Sequence, residues 1–117
     1  MKMIIAIIRP EKLEAVQQAL AESDVYLMTV SDVRGCGRQR GLPEVYRGQE
    51  NVVRLLPKLK LEIAVNDPFV EAAVEAIVRA ARTGETGRVG DGKIFVLPMD
   101  DCIQIRTGEM GGVAIGP

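Results

Sequence analysis

The stretch GCGRQRGLPEVYRGQENVVRLLPKLK, residues 35–60, follows one extended segment of the chain and leads into a second. The segment before it, YLMTVSDVR (26–34), and the segment that it leads into, LPKLKLEIAV (56–65), alternate apolar and polar residues as β-strands do. The residues between them follow neither a helical nor a strand period. A connection longer than about 15 residues in a compact domain is usually functional or disordered. We therefore expect residues 36–56 to form a long functional loop.

The segments on either side of this loop predict the fold. Hydrophobic periodicity predicts a strand over 1–8 that is buried on both faces, a helix over 10–22 and a strand over 25–34. After the loop it predicts a strand over 56–65 and a helix that begins after Asn66-Asp67-Pro68 and ends before Thr83-Gly84. A strand over 94–97 and a last extended piece around 103–106 follow. The order β-α-β, long loop, β-α-β is that of a ferredoxin-like split β-α-β sandwich of the α+β class. We expect one domain over residues 1–117.

Both helices are expected to cover the same face of an antiparallel sheet, because their apolar stripes need one core. The other face is expected to carry polar residues, namely Thr29, Ser31, Lys58, Lys60 and Glu62, joined by Gln104 and Arg106. Two interpretations remain open: this face is a solvated sheet surface, or copies of the chain associate around it and leave clefts where their loops meet.

Composition excludes several classes of function. The chain has 117 residues with a formal net charge of −1, so general attraction to nucleic acid or to an anionic membrane is not expected. It has no histidine, and its two cysteines, Cys36 and Cys102, lack CxxC spacing, which argues against a zinc site and a disulfide framework. No Ser-His-Asp set exists, and no histidine is available to activate Cys36, so we expect a non-enzymatic protein. The apolar run of MKMIIAIIRPEK is too short to span a membrane and lacks a cleavage region, which predicts a cytoplasmic protein.

Two glycine-rich loops are the candidates for an anion site. The first is Gly35–Gly41 and the second is GETGRVGDGK (84–93). Glycines let backbone N–H groups converge on an anion, and each loop also brings a cation. The first loop is no dinucleotide fingerprint, because its last glycine is one residue late and no helix follows, and GxxxxGK[ST] is absent from the chain. For each loop a plain turn is the alternative interpretation.

Two cations outside these glycine runs also have two interpretations each. Lys58 is either part of an exposed cross-strand charge pattern or a lysine that reaches a bound acid. Arg47, in YRGQE, is either a solvated arginine or a side chain that inserts into a partner.

Several motifs together resemble the PII-type nitrogen regulatory proteins, the GlnB/GlnK family. The matching pieces, over essentially the whole length, are AIIRPEKLEAVQQAL, GCGRQRG, VYRGQE, LLPKLKLEIAV, EAIVRAARTG, VGDGKIFV and IRTGE. VGDGKIFV and the GRQ, YRG and LPK spacing are the most specific of them. The resemblance implies homotrimers of ferredoxin-like subunits that bind ATP or ADP between subunits. It also implies 2-oxoglutarate beside Mg-ATP at the base of the long loop, which then engages or releases ammonium channels, nitrogen-metabolism enzymes or kinases; any membrane association would run through such a channel.

The resemblance also implies roles for individual residues. The implied nucleotide-binding residues are Ile7, Thr29, Gly35, Cys36, Gly37, Arg38, Gln39, Glu62, Ala64, Gly90, Asp91, Gly92, Lys93 and Arg106, with the glycine run at 35–39 from one subunit and residues 90–93 and 106 from its neighbour. The implied 2-oxoglutarate ligands are Gln39, Arg40, Gly41 and Lys58, with Gln39 also at Mg²⁺. Arg47 matches an arginine that family members insert into a channel pore.

The chain departs from the family pattern in three places. Asn51 and Gln49 stand where family members carry the tyrosine and the serine that are modified covalently, so uridylylation or phosphorylation there is not expected. The second glycine-rich loop is longer than the usual TGKIGDGK, and Gln104 replaces an arginine that contacts phosphate. A missing charge-assisted contact weakens phosphate binding by about 1.5–3 kcal/mol unless Arg88 substitutes for it. These departures favour an alternative: a diverged PII-like trimer that binds adenine nucleotide or another small molecule without sensing 2-oxoglutarate.

Overall fold

The computed structural model describes residues 1–36, 45–46, 49–50 and 54–116. Its elements are β1 (Lys2–Ile8), a 3-10 turn (Pro10–Lys12), α1 (Leu13–Glu22), β2 (Thr29–Gly35), β3 (Val45–Tyr46), β4 (Gln49–Glu50), β5 (Leu56–Val65), α2 (Asp67–Ala81), β6 (Gly92–Pro98) and α3 (Gly112–Ile115). The four long strands form one sheet in the order β2-β5-β1-β6, and every neighbouring pair is antiparallel. This is the ferredoxin-like α+β arrangement that the sequence predicts, and the prediction is confirmed.

The core lies between one face of the sheet and the two long helices. Side chains of β1, β5, α1 and α2 fill it, and the apolar stripes predicted from the sequence are the surfaces that meet there. Its buried members are Ile4, Ala6, Ile8, Val16, Ala19, Leu20, Val25, Leu59, Leu61, Ile63, Val65, Ala73, Ala76, Ile77 and Ala81. Both helices therefore cover the same sheet face, as expected.

The opposite face, which we call the outer face, has no helical layer over it within the described residues. By register it carries Met3, Ile5, Ile7, Thr29, Ser31, Val33, Lys58, Lys60, Glu62, Ala64, Lys93, Phe95 and Leu97. On β1, Ile5 and Ile7 are only half-buried. The prediction that the first strand is buried on both faces is therefore wrong for a single chain, because only the helix side of the sheet is covered.

The segment 25–28 does not belong to β2, although the sequence pattern includes it. Asp24 has a left-handed φ of 61°, and the amide of Val25 donates to the carbonyl of Leu20 at 2.9 Å. These features close the end of α1 and turn Val25 into the core instead of along the sheet. The strand therefore begins only at Thr29.

The last extended piece is also not a sheet strand. Ile103 makes one antiparallel bridge to Met110, and the amide of Gly108 donates to the carbonyl of Gln104 in a turn between them. Gln104 and Arg106 therefore do not join the outer face. The short helix α3, which the sequence did not predict, follows this turn and buries Ile115.

The long loop contains a short ladder between β3 and β4, with Val45 opposite Glu50 and Tyr46 opposite Gln49. The prediction of a connection without secondary structure is wrong at these four residues, because two-residue strands are too short to produce a visible period. The remaining loop residues, 37–44, 47–48 and 51–53, lie outside the described part of the chain.

Candidate functional site

Antiparallel pairing brings several candidate residues to one edge of the sheet. Gly35 ends β2, β5 starts opposite it at Leu56, β1 ends near Ile7, and Gly92 starts β6. At this edge lies a cleft of about 550 Å³. Its lining residues are Ile7, Val33, Arg34, Gly35, Cys36, Leu56, Lys58, Val89, Gly90, Gly92, Lys93 and Phe95.

This cleft unites the two glycine-rich loops that the sequence singled out. Gly35 and Cys36 form one wall, and Gly90, Gly92 and Lys93 form another, all in a single chain. The resemblance implies that residues 35–39 and 90–93 come from neighbouring subunits, whereas one chain already brings Gly35 and Lys93 to the same cleft. The other members of the first run, Gly37, Arg38, Gln39, Arg40 and Gly41, and the docking candidate Arg47 lie outside the described residues.

Lys58 is the most enclosed cation of the cleft, with 9% of its surface exposed. Its ammonium group donates a hydrogen bond to the carbonyl oxygen of Gly90, which links β5 to the second glycine-rich loop. Burial lowers the pKa of Lys58 below its ordinary value of 10.5, and the Arg9 guanidinium lowers it further, while Glu11 and Asp91 partly oppose this shift. Among the described residues no carboxylate forms a salt bridge with Lys58. A bound anion would supply the missing counter-charge.

The backbone at Gly90 and Gly92 requires glycine. Their φ angles are +100° and +110°, in the region that side-chain-bearing residues rarely adopt. A Cβ on Gly92 would overlap the carbonyl oxygen of Ile7, and one on Gly90 would lie 3.1 Å from Nη2 of Arg9. The loop therefore approaches β1 more closely than any other residue type would allow.

Asp91 lies between these glycines but does not line the cleft. Arg9 Nε and Thr83 Oγ1 donate to its Oδ1, and the amides of Thr83 and Arg88 donate to Oδ2. Burial alone would raise the pKa of Asp91, but the bonds from Thr83, Arg88 and Arg9 outweigh it and hold that pKa well below its usual range.

The structure does not bring four other candidates into this cleft. Thr29 and Glu62 are directly opposite each other on the outer face, in the same row as Ile5 and Phe95, and Ala64 follows Glu62 on the same face. Arg106 is exposed in the turn after Ile103. These residues can meet a cleft only if it belongs to another copy or if the chain rearranges.

Arg88 does not line the cleft of the single chain. Its side chain lines a separate groove of about 680 Å³ between α2 and the second glycine-rich loop. Gln104 itself accepts a hydrogen bond from Thr107 Oγ1 at 2.7 Å. In a single chain, neither side chain reaches the cleft between the glycine loops.

Two residues at the site escaped the sequence reasoning. Arg9 binds Asp91 and also donates from Nη2 to the carbonyl of Val89 at 3.0 Å. Thr83, interpreted from sequence only as a helix stop, donates twice to Asp91. The one signal for Arg9 was its place directly after the first strand, which does not reveal a partner 82 residues away.

Comparison with known proteins agrees with this architecture. The family model described as "Nitrogen regulatory protein P-II" matches residues 1–109. "Nitrogen regulatory protein P-II 2" of Methanothermobacter thermautotrophicus is 53% identical over 98% of this chain and 97% of its own length. "Nitrogen regulatory protein P-II" of Azospirillum brasilense is 53% identical over 98% of this chain and its whole length. "Nitrogen regulatory protein GlnK1" of Methanosarcina mazei is 52% identical over 98% of this chain and 97% of its own length.

Fold and cleft together define a ferredoxin-like protein with a cationic, glycine-walled cleft at one edge of its sheet. With these matches, the chain belongs to the P-II family of nitrogen regulatory proteins. The resemblance seen in the sequence is confirmed, and the family name denotes regulators rather than enzymes. No helix among the described residues is long and apolar enough to cross a membrane.

Proposed function

We propose that the chain is a cytoplasmic P-II signal protein that binds ATP or ADP in the cleft, senses 2-oxoglutarate with Mg-ATP and acts on nitrogen-metabolism partners through residues 36–56. The observation that carries this proposal is that Gly35, Lys58 and Lys93 meet in one cleft of a chain that belongs to this family. Glycine backbones and lysines suit a polyphosphate, and the buried Lys58 suits a carboxylate beside it.

Different residues of the proposed site would contact the nucleotide and 2-oxoglutarate. Lys93 and the backbones of Gly35, Gly90 and Gly92 would face the phosphates, and apolar side chains of the cleft, such as Ile7, would contact the base. Lys58 would pair with a carboxylate of 2-oxoglutarate, together with Gln39, Arg40 and Gly41 from the loop. Gln39 would hold Mg²⁺, which would supply positive charge against the phosphates.

A homotrimer is part of the proposal. Phe95 and Leu97 on the outer face are 49% and 43% exposed in the single chain, beside the half-buried Ile5. Exposed apolar surface of this kind marks an association face. Association there would cover β1 on its second side and bring Thr29 and Glu62 of one copy toward the cleft of another, with Ala64 and Arg106 of that copy beside them.

The partners of the proposed signal are an ammonium channel or nitrogen-metabolism enzymes. The GlnK1 name of one relative supports a role in nitrogen regulation, and the loop between β2 and β5 starts at the cleft. Occupancy of the cleft would therefore act directly on the loop, with Arg47 as the docking side chain.

Calorimetry of 2-oxoglutarate with and without Mg-ATP tests the proposal. We expect ATP and ADP to bind alone, and 2-oxoglutarate to bind only when Mg-ATP is present. Absence of binding to either nucleotide at millimolar concentration would overturn the proposed function.

A diverged sensor is the second candidate, and the placement of Gln104 favours it. Gln104 bonds Thr107, and no arginine from the longer loop replaces it in the cleft. In this case nucleotide binds, but 2-oxoglutarate gives no heat with or without Mg-ATP. The same titration therefore separates the two candidates.

A further inference from the structure

Asp91 has all of its acceptor capacity engaged inside the loop. Oδ1 accepts from Arg9 Nε at 3.0 Å and from Thr83 Oγ1 at 2.6 Å. Oδ2 accepts from the amide of Thr83 at 3.0 Å and from the amide of Arg88 at 2.8 Å. The side chain is 19% exposed, and it does not line the cleft although Gly90 and Gly92 do. The carboxylate therefore faces away from the proposed ligand.

These bonds fix the loop from two directions. The two bonds from Thr83 join residues that are eight positions apart, and the amide of Arg88, which lies between them, donates to the same carboxylate. Arg9 connects this closed loop to the end of β1. Its guanidinium donates both to Asp91 and to the carbonyl of Val89, and the two bonds together fix its orientation. The backbone at Gly90 and Gly92 is positioned as a result.

The loop needs such a constraint because of its composition. It contains four glycines with positive φ, Gly84, Gly87, Gly90 and Gly92, and glycine loses more conformational freedom on ordering than any other residue. A ligand that had to order this loop itself would lose affinity. One carboxylate that accepts from four donors orders it in advance.

We propose that Asp91 is a positioning residue of the P-II cleft rather than a ligand contact: with Arg9 and Thr83 it holds the second glycine-rich loop in the shape that presents Gly90, Gly92 and Lys93 to a polyphosphate. The proposal rests on the proposed nucleotide binding. It assigns Asp91 a different role from the one that the family resemblance implied.

The substitution Asp91→Asn distinguishes positioning from electrostatics by the sign of its effect. Removing a negative charge close to Lys58 and Lys93 would by itself strengthen the binding of an anion. Positioning predicts the opposite, because asparagine has one acceptor oxygen and turns its NH2 group toward donors that need an acceptor. We expect affinity for ATP and ADP to fall by about tenfold or more.

Matched variants separate the contributions. Thr83→Val removes only the hydroxyl bond, and we expect a loss of about three- to tenfold, which Thr83→Ser restores to within about twofold. Glu85→Gln removes the same charge as Asp91→Asn from an exposed place in the same loop. We expect it to change affinity by no more than about twofold. Titrations are made where circular dichroism shows each variant fully folded.

Amide hydrogen exchange of the ligand-free protein supplies a readout independent of nucleotide. We expect Asp91→Asn to accelerate exchange at Thr83 and Arg88 by about tenfold or more while amides inside α2 keep their rates. Unchanged or tighter nucleotide binding by Asp91→Asn, or a loss equal to that of Glu85→Gln, would overturn this inference. Should Asp91→Asn fail to fold, Thr83→Val replaces it as the test. Nucleotide affinity that is unchanged in Thr83→Val would then overturn this inference. If the wild-type protein binds no nucleotide but Asp91→Asn still accelerates exchange at Thr83 and Arg88, the proposed function is overturned and the loop constraint stands.

Discussion

Gly92 allows β6 to approach β1 closely, because a side chain at this position would overlap the carbonyl oxygen of Ile7. We expect Gly92→Ala to destabilise the protein by about 2 kcal/mol or more, because a left-handed backbone and an overlap with the Ile7 carbonyl both oppose a side chain. Gly84→Ala is the control, since Gly84 also has a positive φ but has nothing within 4 Å of its added Cβ. Urea denaturation compares the two. Equal losses would show that only the φ angle matters at position 92.

Lys58 is buried, whereas Lys60, on the same face of the same strand, is partly exposed. We expect Lys58→Met to weaken 2-oxoglutarate binding in the presence of Mg-ATP by about tenfold or more. Folding stability should fall by less than about 1 kcal/mol, because an apolar chain of similar length replaces a desolvated cation. Calorimetry and urea denaturation measure the two effects.

Lys60→Met is the matched control for that substitution. Lys60 points to the same face of β5, but its side chain is 36% exposed and lies 3.9 Å from Glu62. A change in effector affinity as large as that of Lys58→Met would assign the effect to net charge instead of to a contact.

At the scale of elements, one side chain connects α2 to the C-terminal segment. Asn66 precedes α2, and its amide nitrogen donates to the carbonyls of Gly112 and Gly116 at 3.0 and 2.8 Å, across both ends of α3. A four-residue helix is too short to be stable alone, so these bonds and the burial of Ile115 hold it.

We expect Asn66→Asp to release α3, because aspartate keeps the shape of asparagine but has no N–H to donate. Limited proteolysis should then cut the chain beyond residue 110 at a higher rate, while the helical circular dichroism of α1 and α2 stays the same. Asp remains a good residue before a helix, so loss of α2 is not expected. An unchanged cleavage rate would mean that Ile115 alone anchors the segment.

The elements differ in how well the sequence predicts them. The period of β5 predicts its buried face correctly from Leu59 to Val65, since alternation along one strand is a local property. The segment 25–28 and the segment around Ile103 carry similar patterns but do not pair in the sheet. Their conformations depend on the end of α1 and on a turn that closes on Met110, which no local pattern records.

At the scale of the whole molecule, the lowered pKa of Asp91 predicts how the free energy of unfolding varies with pH. Its pKa is lower in the folded protein than the ordinary 3.8, so the unfolded chain binds more protons between these two values. The stabilisation by Asp91 is thus fully present above about pH 5 and is lost as pH falls toward the folded-state pKa.

The difference in unfolding free energy between wild type and Asp91→Asn isolates this contribution from that of other carboxylates, among them Asp67, whose pKa is also lowered by its bond to the N-terminus. We expect the difference to shrink as pH falls from about 5 to about 2. Urea denaturation at several pH values measures it. A difference that is the same at every pH would contradict the expectation.

We expect three copies of the chain to associate through their outer faces. We expect sedimentation equilibrium to give three times the chain mass of 12.7 kDa. Phe95→Lys should lower that mass, because it places a cation in the exposed apolar part of this face. Val113→Lys, at an exposed residue of α3, is the control and should leave the mass unchanged. A wild-type monomer would contradict the prediction.

The sequence by itself determined the order of the four long strands and the two long helices, the helix faces that are buried and the two glycine-rich loops, because periodicity and glycine content act over a few neighbouring residues. Only the tertiary structure decided that both loops share one cleft, that Lys58 bonds to Gly90, and that Asp91 turns away from the cleft toward Arg9 and Thr83. Those contacts join residues 8 to 82 positions apart, and the geometry of the folded sheet sets their distances. Among the residues that the structure describes, nothing covers the outer face, and a local pattern of apolar residues cannot distinguish such a face from a buried one.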